Sequence, residues 1–196
     1  MPPELNTRQT LMEKIRSCND DKSWEEYAHY YRGYILALLR GMGLNHHDQE
    51  DLLQQVLLKS WKSLPQTQIT GRFRSWLLVV TRNTARDHFK SKQSRHRKQE
   101  VELNSSYINF HNMSEPEIEK IADEEWMLYI SKLAWENISK DFKSTLLEAF
   151  LRSSDDEEIS TISQDLGISE SSIYVYKQRV QKALMKEVLR LEAYLA

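Results

Sequence analysis

The sequence predicts an all-α protein: two small helical domains joined by a linker, the second a helix-turn-helix. Three observations predict this fold. Apolar residues recur at helical spacing along most of the 196 residues. Only five Gly and four Pro interrupt them. The periodicity lapses in an Asn- and Ser-rich stretch after Lys98. The predicted limits are residues 1–98 for the first domain, 99–116 for the linker and 117–196 for the second domain.

Two helices are predicted before residue 44. The apolar residues of the short first helix are Leu11, Met12 and Ile15. Ser23 is predicted to cap the second helix, with Glu26 completing a capping box. Its buried stripe consists of Trp24, Tyr27, Tyr31, Tyr34, Leu38 and Met42. Gly41 and Gly43 are expected to end this helix.

A third helix is predicted from Asn45 to Pro65. Asn45 can cap it, with Asp48 at the capping-box position, and Pro65 stops it. Its apolar stripe is Leu53, Leu57 and Trp61. A polar surface is expected on the other side, formed by Asp48, Asp51, Gln54, Gln55 and Lys59.

The fourth helix combines an apolar face with a strongly basic one. Between Arg72 and Lys98 there are nine Lys or Arg against one acid, Asp87. The apolar face is Phe73, Leu77, Val80 and Thr84, and roughly opposite it lie Arg82, Arg86 and Lys90, four residues apart. This segregation favours a polyanion-binding surface over an ordinary solvated helix. The interpretation requires the three opposite-face cations to be exposed and not neutralised by the protein's own acids.

The second domain follows an acidic stretch. Between Glu115 and Glu125 there are six acids against one lysine, and we interpret this stretch as a tether from which helix resumes near Glu117. Ser139 is expected to cap the domain's middle helix, and Ser154 with Glu157 forms another predicted capping box. The following segment predicts a short helix, a turn and a long final helix.

The turn is predicted at Gly167, where a tight connection favours positive φ, and Ser169 is expected to cap the final helix. On that helix the inward stripe is Ile173, Tyr176, Val180, Leu184 and Leu191. The outward face is Ser171, Tyr174, Val175, Gln178 and Lys182, the side from which a recognition helix contacts a major groove. The acids of residues 155–158 must point away from DNA for this interpretation to hold.

Three segments taken in order resemble the bacterial RNA polymerase sigma factors of the extracytoplasmic-function group. They are DLLQQVLLKSW (51–61), FRSWLLVVTRNTARDHFK (73–90) and ISQDLGISESSIYVYKQRV (162–180). The chain departs from the family's usual residues at Ile138, Ser139, Ser163 and Tyr176. The resemblance implies a cytoplasmic, non-enzymatic protein that binds core polymerase and directs promoter recognition, duplex melting and transcription initiation. An anti-sigma factor is a further partner that it allows.

The resemblance also implies roles for individual residues. Binding to core polymerase falls to Asp48, Asp51, Gln54, Gln55 and Lys59. Contacts to the minus-ten promoter element fall to Arg72, Arg74, Arg82, Asn83, Arg86, Asp87 and Lys90. Contacts to the minus-thirty-five element fall to Ser171, Ser172, Tyr174, Val175, Lys177, Gln178 and Arg179. The acidic stretch is expected to run through the RNA exit path.

Two other functions remain as alternatives. Catalysis is disfavoured because the sequence has no metal-ligand motif, no Gly-rich phosphate loop and no nucleophile with an evident base, so no catalytic residue, metal or cofactor is expected. A stand-alone helix-turn-helix transcriptional regulator would bind duplex DNA unaided. It would also need a dimer surface, and the sequence contains no heptad seam to supply one.

Overall fold

The computed structural model describes residues 11–18, 21–67, 69, 72–96 and 110–195. These residues form helices and connecting turns, without a strand among them, which confirms the all-α prediction. The chain divides into two units: Met1–Tyr129 with Tyr194–Ala196, and Ile130–Ala193. The predicted domain limits at residues 98 and 117 stay a prediction, and most of the predicted linker lies outside the described residues.

Before residue 97 the described residues of the first unit form four α-helices and one 3₁₀ turn. They are α1 (Leu11–Cys18), α2 (Asp21–Gly41), α3 (His46–Ser63), a 3₁₀ turn at Leu64–Gln66, and α4 (Phe73–His96). α2 packs against α1, α3 and α4, and α3 packs against α4. The core between them is rich in tyrosine. Tyr27 donates a hydrogen bond to Ser60 Oγ at 2.6 Å, and Tyr31 meets the ring of Phe73 with centroids 4.9 Å apart.

Residues 110–112 are helical, and the helices that follow them begin with the acidic stretch. They are α5 (Glu115–Ile138), a 3₁₀ turn at Ser139–Asp141, α6 (Ser144–Ser154), α7 (Ile159–Leu166) and α8 (Glu170–Leu195). The acidic stretch is thus helical from Glu115, which agrees with the prediction that helix resumes near Glu117. Within the second unit one apolar cluster joins Ile138, Leu146, Phe150 and Val180. A neighbouring cluster joins Ala149, Ile162 and Ile173.

Some of the predicted helix caps and turns are present in the structure, and others are not. Asn45 Oδ1 accepts the amide of Asp48 at 2.9 Å, and Ser169 Oγ accepts the amide of Ser172 at 3.2 Å, so both predicted caps are confirmed. Gly43 and Gly167 adopt positive φ, 79° and 63°, after α2 and α7. In both turns the next residue's amide reaches back five residues, a Schellman arrangement.

Three predicted caps are wrong. Ser23 lies buried inside α2, which begins two residues earlier. Ser139 opens a 3₁₀ turn, and α6 begins only after Lys143. Ser154 is the last residue of α6 and its hydroxyl donates back to the carbonyl of Phe150, so it caps nothing downstream. The Ser154 hydroxyl thus has a local backbone partner other than the one that the capping pattern assumes.

Candidate nucleic-acid interface

One face of α4 is fixed in the core of the first unit. Phe73, Leu77, Ala85 and Phe89 are buried along it. Thr81, also on this face, donates to the carbonyl of Leu77 at 2.8 Å, and so avoids leaving a buried hydroxyl without a partner. The buried stripe therefore sets the rotation of α4 and decides which of its cations reach solvent.

Arg86 and Lys90 lie on the opposite, exposed face of α4. Within the part of the chain that the structure describes, neither side chain has an ion pair. Exposed cations one turn apart are suited to phosphates along a nucleic-acid backbone, because they neutralise charge without reading sequence. Arg72, just before the helix, is also exposed.

A cavity of about 480 Å³ lies beside these two cations. Its walls include the rings of Phe89 and Phe110, whose centroids are 5.2 Å apart, and the side chain of Met113. Arg86 and Lys90 contribute to the same lining. Aromatic walls with cations nearby are the arrangement by which proteins hold an unstacked base and its phosphate.

Asn83 and Asp87, the two polar residues between the cations, are both exposed. Asp87 has a partner on the neighbouring helix, since its carboxylate lies 3.6 Å from Lys59 Nζ. The structure therefore brings together one residue expected at the minus-ten element and one expected at core polymerase.

Arg82 and Arg74 differ from the other cations of α4. Arg82 Nη1 lies 2.7 Å from Glu115 Oε1, and its side chain is only 18% exposed. Arg74 pairs with Asp123 at 3.2 Å and lies over the ring of Trp126 at 5.8 Å. The expectation of three unpaired cations on α4 is therefore wrong for Arg82, because the acidic start of α5 lies alongside α4.

The start of α5 also packs on α2. A Cβ atom added to Gly33 would lie 2.5 Å from Tyr129 Cε2, and one added to Gly41 would lie 2.5 Å from Ile121 Cγ2. Tyr34 donates to the carbonyl of Ala122 at 3.3 Å. Burial raises the pKa of this phenol, so it stays a neutral donor. The sequence analysis does not predict this contact. The signal is an equal spacing: the two glycines are eight residues apart, and so are Ile121 and Tyr129, the side chains that face them.

The polar surface of α3 is largely as predicted. Its exposed residues are Asp51, Gln54, Gln55 and Lys59. Asp48 is the exception: it is buried, at 4% exposure, and accepts from Asn45 Nδ2 at 2.9 Å. Its carboxylate also lies 3.3 Å from His88 Nε2 of α4. The expectation that Asp48 lies on the polar surface is therefore wrong, because the residue holds the beginning of α3 against α4.

In the second unit the outward face of α8 is as predicted. Its exposed residues are Ser171, Tyr174, Val175, Gln178, Arg179 and Lys182. Tyr174 and Val175 are large and apolar, yet 57% and 59% exposed. Two further predicted residues are engaged internally: Ser172 bonds the hydroxyl of Ser169, and Lys177 donates to the carbonyl of Ser153 at 2.8 Å.

The acids before the turn are partly compensated by one arginine. Arg152 donates to Glu157 and, at 2.6 Å, to Asp165. The hydrogen bonds from Arg152 hold the pKa of the Glu157 carboxyl below its usual value, which keeps it ionised and paired. Asp155, Asp156 and Glu158 remain exposed in this turn.

In a comparison with protein-family models, the central segment of the first unit matches one model. Residues 27–95 match the model of sigma-70 region 2. The matched segment contains most of α2, all of α3 and all of α4 except its last residue. No curated protein matches the sequence closely enough to count as a relative.

Two further observations concern the described residues. None of their helices combines the length and apolar character that a membrane crossing requires. Among the same residues, no three His, Cys, Asp or Glu side chains are grouped as the ligands of a metal ion would be.

Proposed function

We propose that this chain is a sigma factor of the extracytoplasmic-function type, which gives core RNA polymerase promoter specificity, melts the duplex and initiates transcription. One observation carries the proposal: within the segment that matches sigma-70 region 2, the exposed face of α4 presents unpaired cations beside an aromatic cavity. A surface of this kind suits a melted promoter strand, because it offers phosphate neutralisation and a place for an unstacked base.

At the minus-ten element we assign three roles to α4. Arg86 and Lys90 neutralise phosphates, and Asn83, which lies between Arg82 and Arg86, is the short polar group that reaches a base edge. The cavity lined by Phe89 and Phe110 holds one unstacked base. The remaining residues of this surface are Arg72, Arg74, Arg82 and Asp87.

At the minus-thirty-five element we assign the start of α8. The α7–turn–α8 segment acts as a helix-turn-helix, in which the first turns of the second helix contact base edges in the major groove. Tyr174 and Val175 favour apolar contact with thymine methyl groups, and Gln178 can bond an adenine edge. The other assigned residues are Ser171, Ser172, Lys177 and Arg179.

For core polymerase we assign the exposed surface of α3, formed by Asp51, Gln54, Gln55 and Lys59. Asp48 is left out of this surface because it is buried. The protein is non-catalytic in this proposal, acts in the cytoplasm, and has promoter DNA and core polymerase as its partners. Control by an anti-sigma factor is compatible with it. The domain limits of residues 1–98, 99–116 and 117–196 are part of the proposal.

Run-off transcription tests this function. Core polymerase is supplied with a library of genomic promoter fragments, including the region upstream of the protein's own coding sequence, with and without the chain. We expect new transcripts that start at defined positions only when the chain is present. A second variant carries Gln54→Ala and Gln55→Ala. It should give fewer transcripts, because the contact with core is weakened. Absence of any added transcript would contradict the proposal.

A further inference from the structure

We propose that Arg152, near the end of α6, is a positioning residue for the reading of the minus-thirty-five element. Its guanidinium holds α7 in place and, through the turn at Gly167, sets where the first turn of α8 lies. The inference rests on the proposed function, since it concerns the same promoter element. Arg152 itself is assigned no contact with DNA.

Arg152 bonds α7 at both of its ends. Its Nε donates to Glu157 Oε2 at 2.8 Å, and its Nη2 donates to the other oxygen of the same carboxylate. Glu157 lies two residues before the start of α7. The same Nη2 donates to Asp165 Oδ2 at 2.6 Å, and Asp165 is the next-to-last residue of α7. One side chain of α6 therefore fixes both ends of this short helix.

The buried apolar contact among α6, α7 and α8 is small. Its buried residues are Ala149, Ile162 and Ile173, one from each helix. Apolar burial stabilises such a contact, but it is non-directional. A planar guanidinium that bonds a carboxylate through two N–H groups adds a defined geometry. The apolar cluster thus joins the three helices, and Arg152 selects the orientation of α7.

A short, bonded turn passes the orientation of α7 on to α8. The helices are separated only by Gly167, Ile168 and Ser169, and Gly167 adopts a φ of 63°. The amide of Ile168 donates to the carbonyl of Ser163 at 3.2 Å, and Ser163 Oγ donates to the carbonyl of Ile168 at 2.6 Å. A displacement of α7 therefore displaces the first turn of α8, which carries the residues assigned to base edges.

α8 has a bond of its own to the end of α6. Lys177 Nζ donates to the carbonyl of Ser153, the residue after Arg152, at 2.8 Å. The carbonyls at a helix end favour a cation there. Lys177 is also among the residues assigned to the minus-thirty-five element, whereas Arg152 is not. Arg152 is therefore the residue that tests positioning separately from contact with DNA.

Arg152 also compensates acids beside the turn. Glu157 and Asp165 are 35% and 54% exposed, and without the guanidinium their charges would repel phosphates nearby. Exposed ion pairs contribute little to folding stability. Loss of Arg152 should therefore disturb promoter reading more than it destabilises the fold.

Run-off transcription from two matched templates is the direct experiment. One template carries an active promoter, and the other carries the same promoter with its minus-thirty-five base pairs scrambled. The ratio of their transcripts measures the reading of that element. With core polymerase, we expect Arg152→Gln to lower this ratio about fivefold, the lower end of the effect of one mismatched base pair. An unchanged ratio would overturn the proposal.

The matched control is Arg190→Gln. Arg190 also bonds both oxygens of one carboxylate, that of Glu187, at 2.7 Å each, but both residues belong to α8. The control removes the same charge without untying two helices, so it should change the ratio less than about twofold. A loss equal to that of Arg152→Gln would count against a positioning role.

A mutant cycle tests whether Arg152 acts through its two acids. In a chain with Glu157→Gln and Asp165→Asn, adding Arg152→Gln should lower the ratio less than about twofold, because the partners are already removed. A loss as large as in the unmodified chain would contradict the proposal. If circular dichroism shows that Arg152→Gln does not fold, Arg152→Lys replaces it. Lysine keeps the charge but lacks the planar fork, so the ratio should still fall, and an unchanged ratio would be contrary evidence.

Amide hydrogen exchange separates this proposal from the proposed function, because it needs neither DNA nor core polymerase. The amides of α7 should exchange about fivefold faster in Arg152→Gln than in the unmodified chain or in Arg190→Gln. If the unmodified chain gives no transcript with core, the proposed function fails, and the exchange rates still decide whether Arg152 holds α7. If the chain initiates but Arg152→Gln alters neither the exchange nor the ratio, the proposed function stands and the role of Arg152 is wrong.

Discussion

At the residue scale, what distinguishes the cations of α4 is whether an acid of the same unit already faces them. Arg82 lies 2.7 Å from Glu115, whereas Arg86, one turn further on, is exposed. The sequence predicts the basic face correctly because helical spacing alone places these residues together. It does not predict the pairing, since Glu115 is 33 residues away and its position depends on the packing of α5 on α2.

Asp48 illustrates the same limit. Its position three residues after Asn45 predicts the cap, and the cap is present. Its burial depends on His88, which reaches it from α4. Local sequence therefore predicts the backbone contact of this residue, and only the packing of α3 on α4 reveals that its side chain is unavailable to a partner.

The proposed phosphate contacts of Arg86 and Lys90 predict a change in salt dependence. With core polymerase present, Arg86→Ala with Lys90→Ala should weaken promoter binding. It should also lower the slope of log affinity against log salt by about 1.4 to 1.8, because two contacts of about 0.7 to 0.9 each are lost. Lys120→Ala with Lys132→Ala removes equal charge from α5 and should change the slope little. A slope unaltered by the α4 changes would exclude these two residues as phosphate contacts.

At the element scale, the turns are predicted better than the helix beginnings. A glycine at a helix end predicts a turn, because glycine adopts the left-handed backbone region without steric cost. Gly43 and Gly167 both adopt that region. A serine before a helix is less informative, since its hydroxyl can bond a carbonyl within the preceding turn, as Ser154 does. The sequence does not predict the pairing of α5 with α2. Gly33 and Gly41 are eight residues apart, and this spacing also fits a helix without such a neighbour.

Gly167 offers a test of the turn that orients α8. An added Cβ would meet nothing within 4 Å, so Gly167→Ala changes backbone strain alone. We expect the free energy of unfolding to fall by about 1 to 2 kcal/mol, the cost of a left-handed conformation for an ordinary residue. Gly167→Asn should cost less, because asparagine tolerates this region.

Denaturant unfolding followed by circular dichroism measures both changes at Gly167. Gln164→Ala, an exposed position on α7, should alter the free energy of unfolding by no more than about 0.5 kcal/mol. If Gly167→Ala were as stable as the unmodified chain, the positive φ at this turn would be contradicted.

At the scale of the whole molecule, a formal net charge of −2 conceals opposite charges on separate elements. The basic face of α4 and the acidic start of α5 belong to the same unit and partly neutralise each other. A chain organised in this way should bind DNA poorly alone and well when core polymerase is present. The distribution of charge is visible in the sequence, but the mutual neutralisation requires the fold.

Promoter binding with and without core polymerase is the decisive measurement for this protein. A labelled duplex that carries an active promoter is incubated with the chain alone, with core alone and with both, against excess unrelated DNA. We predict a sequence-specific complex only when both proteins are present. If the chain alone bound the promoter specifically with the same affinity, and core added nothing, the protein would be a stand-alone regulator and the account would be contradicted.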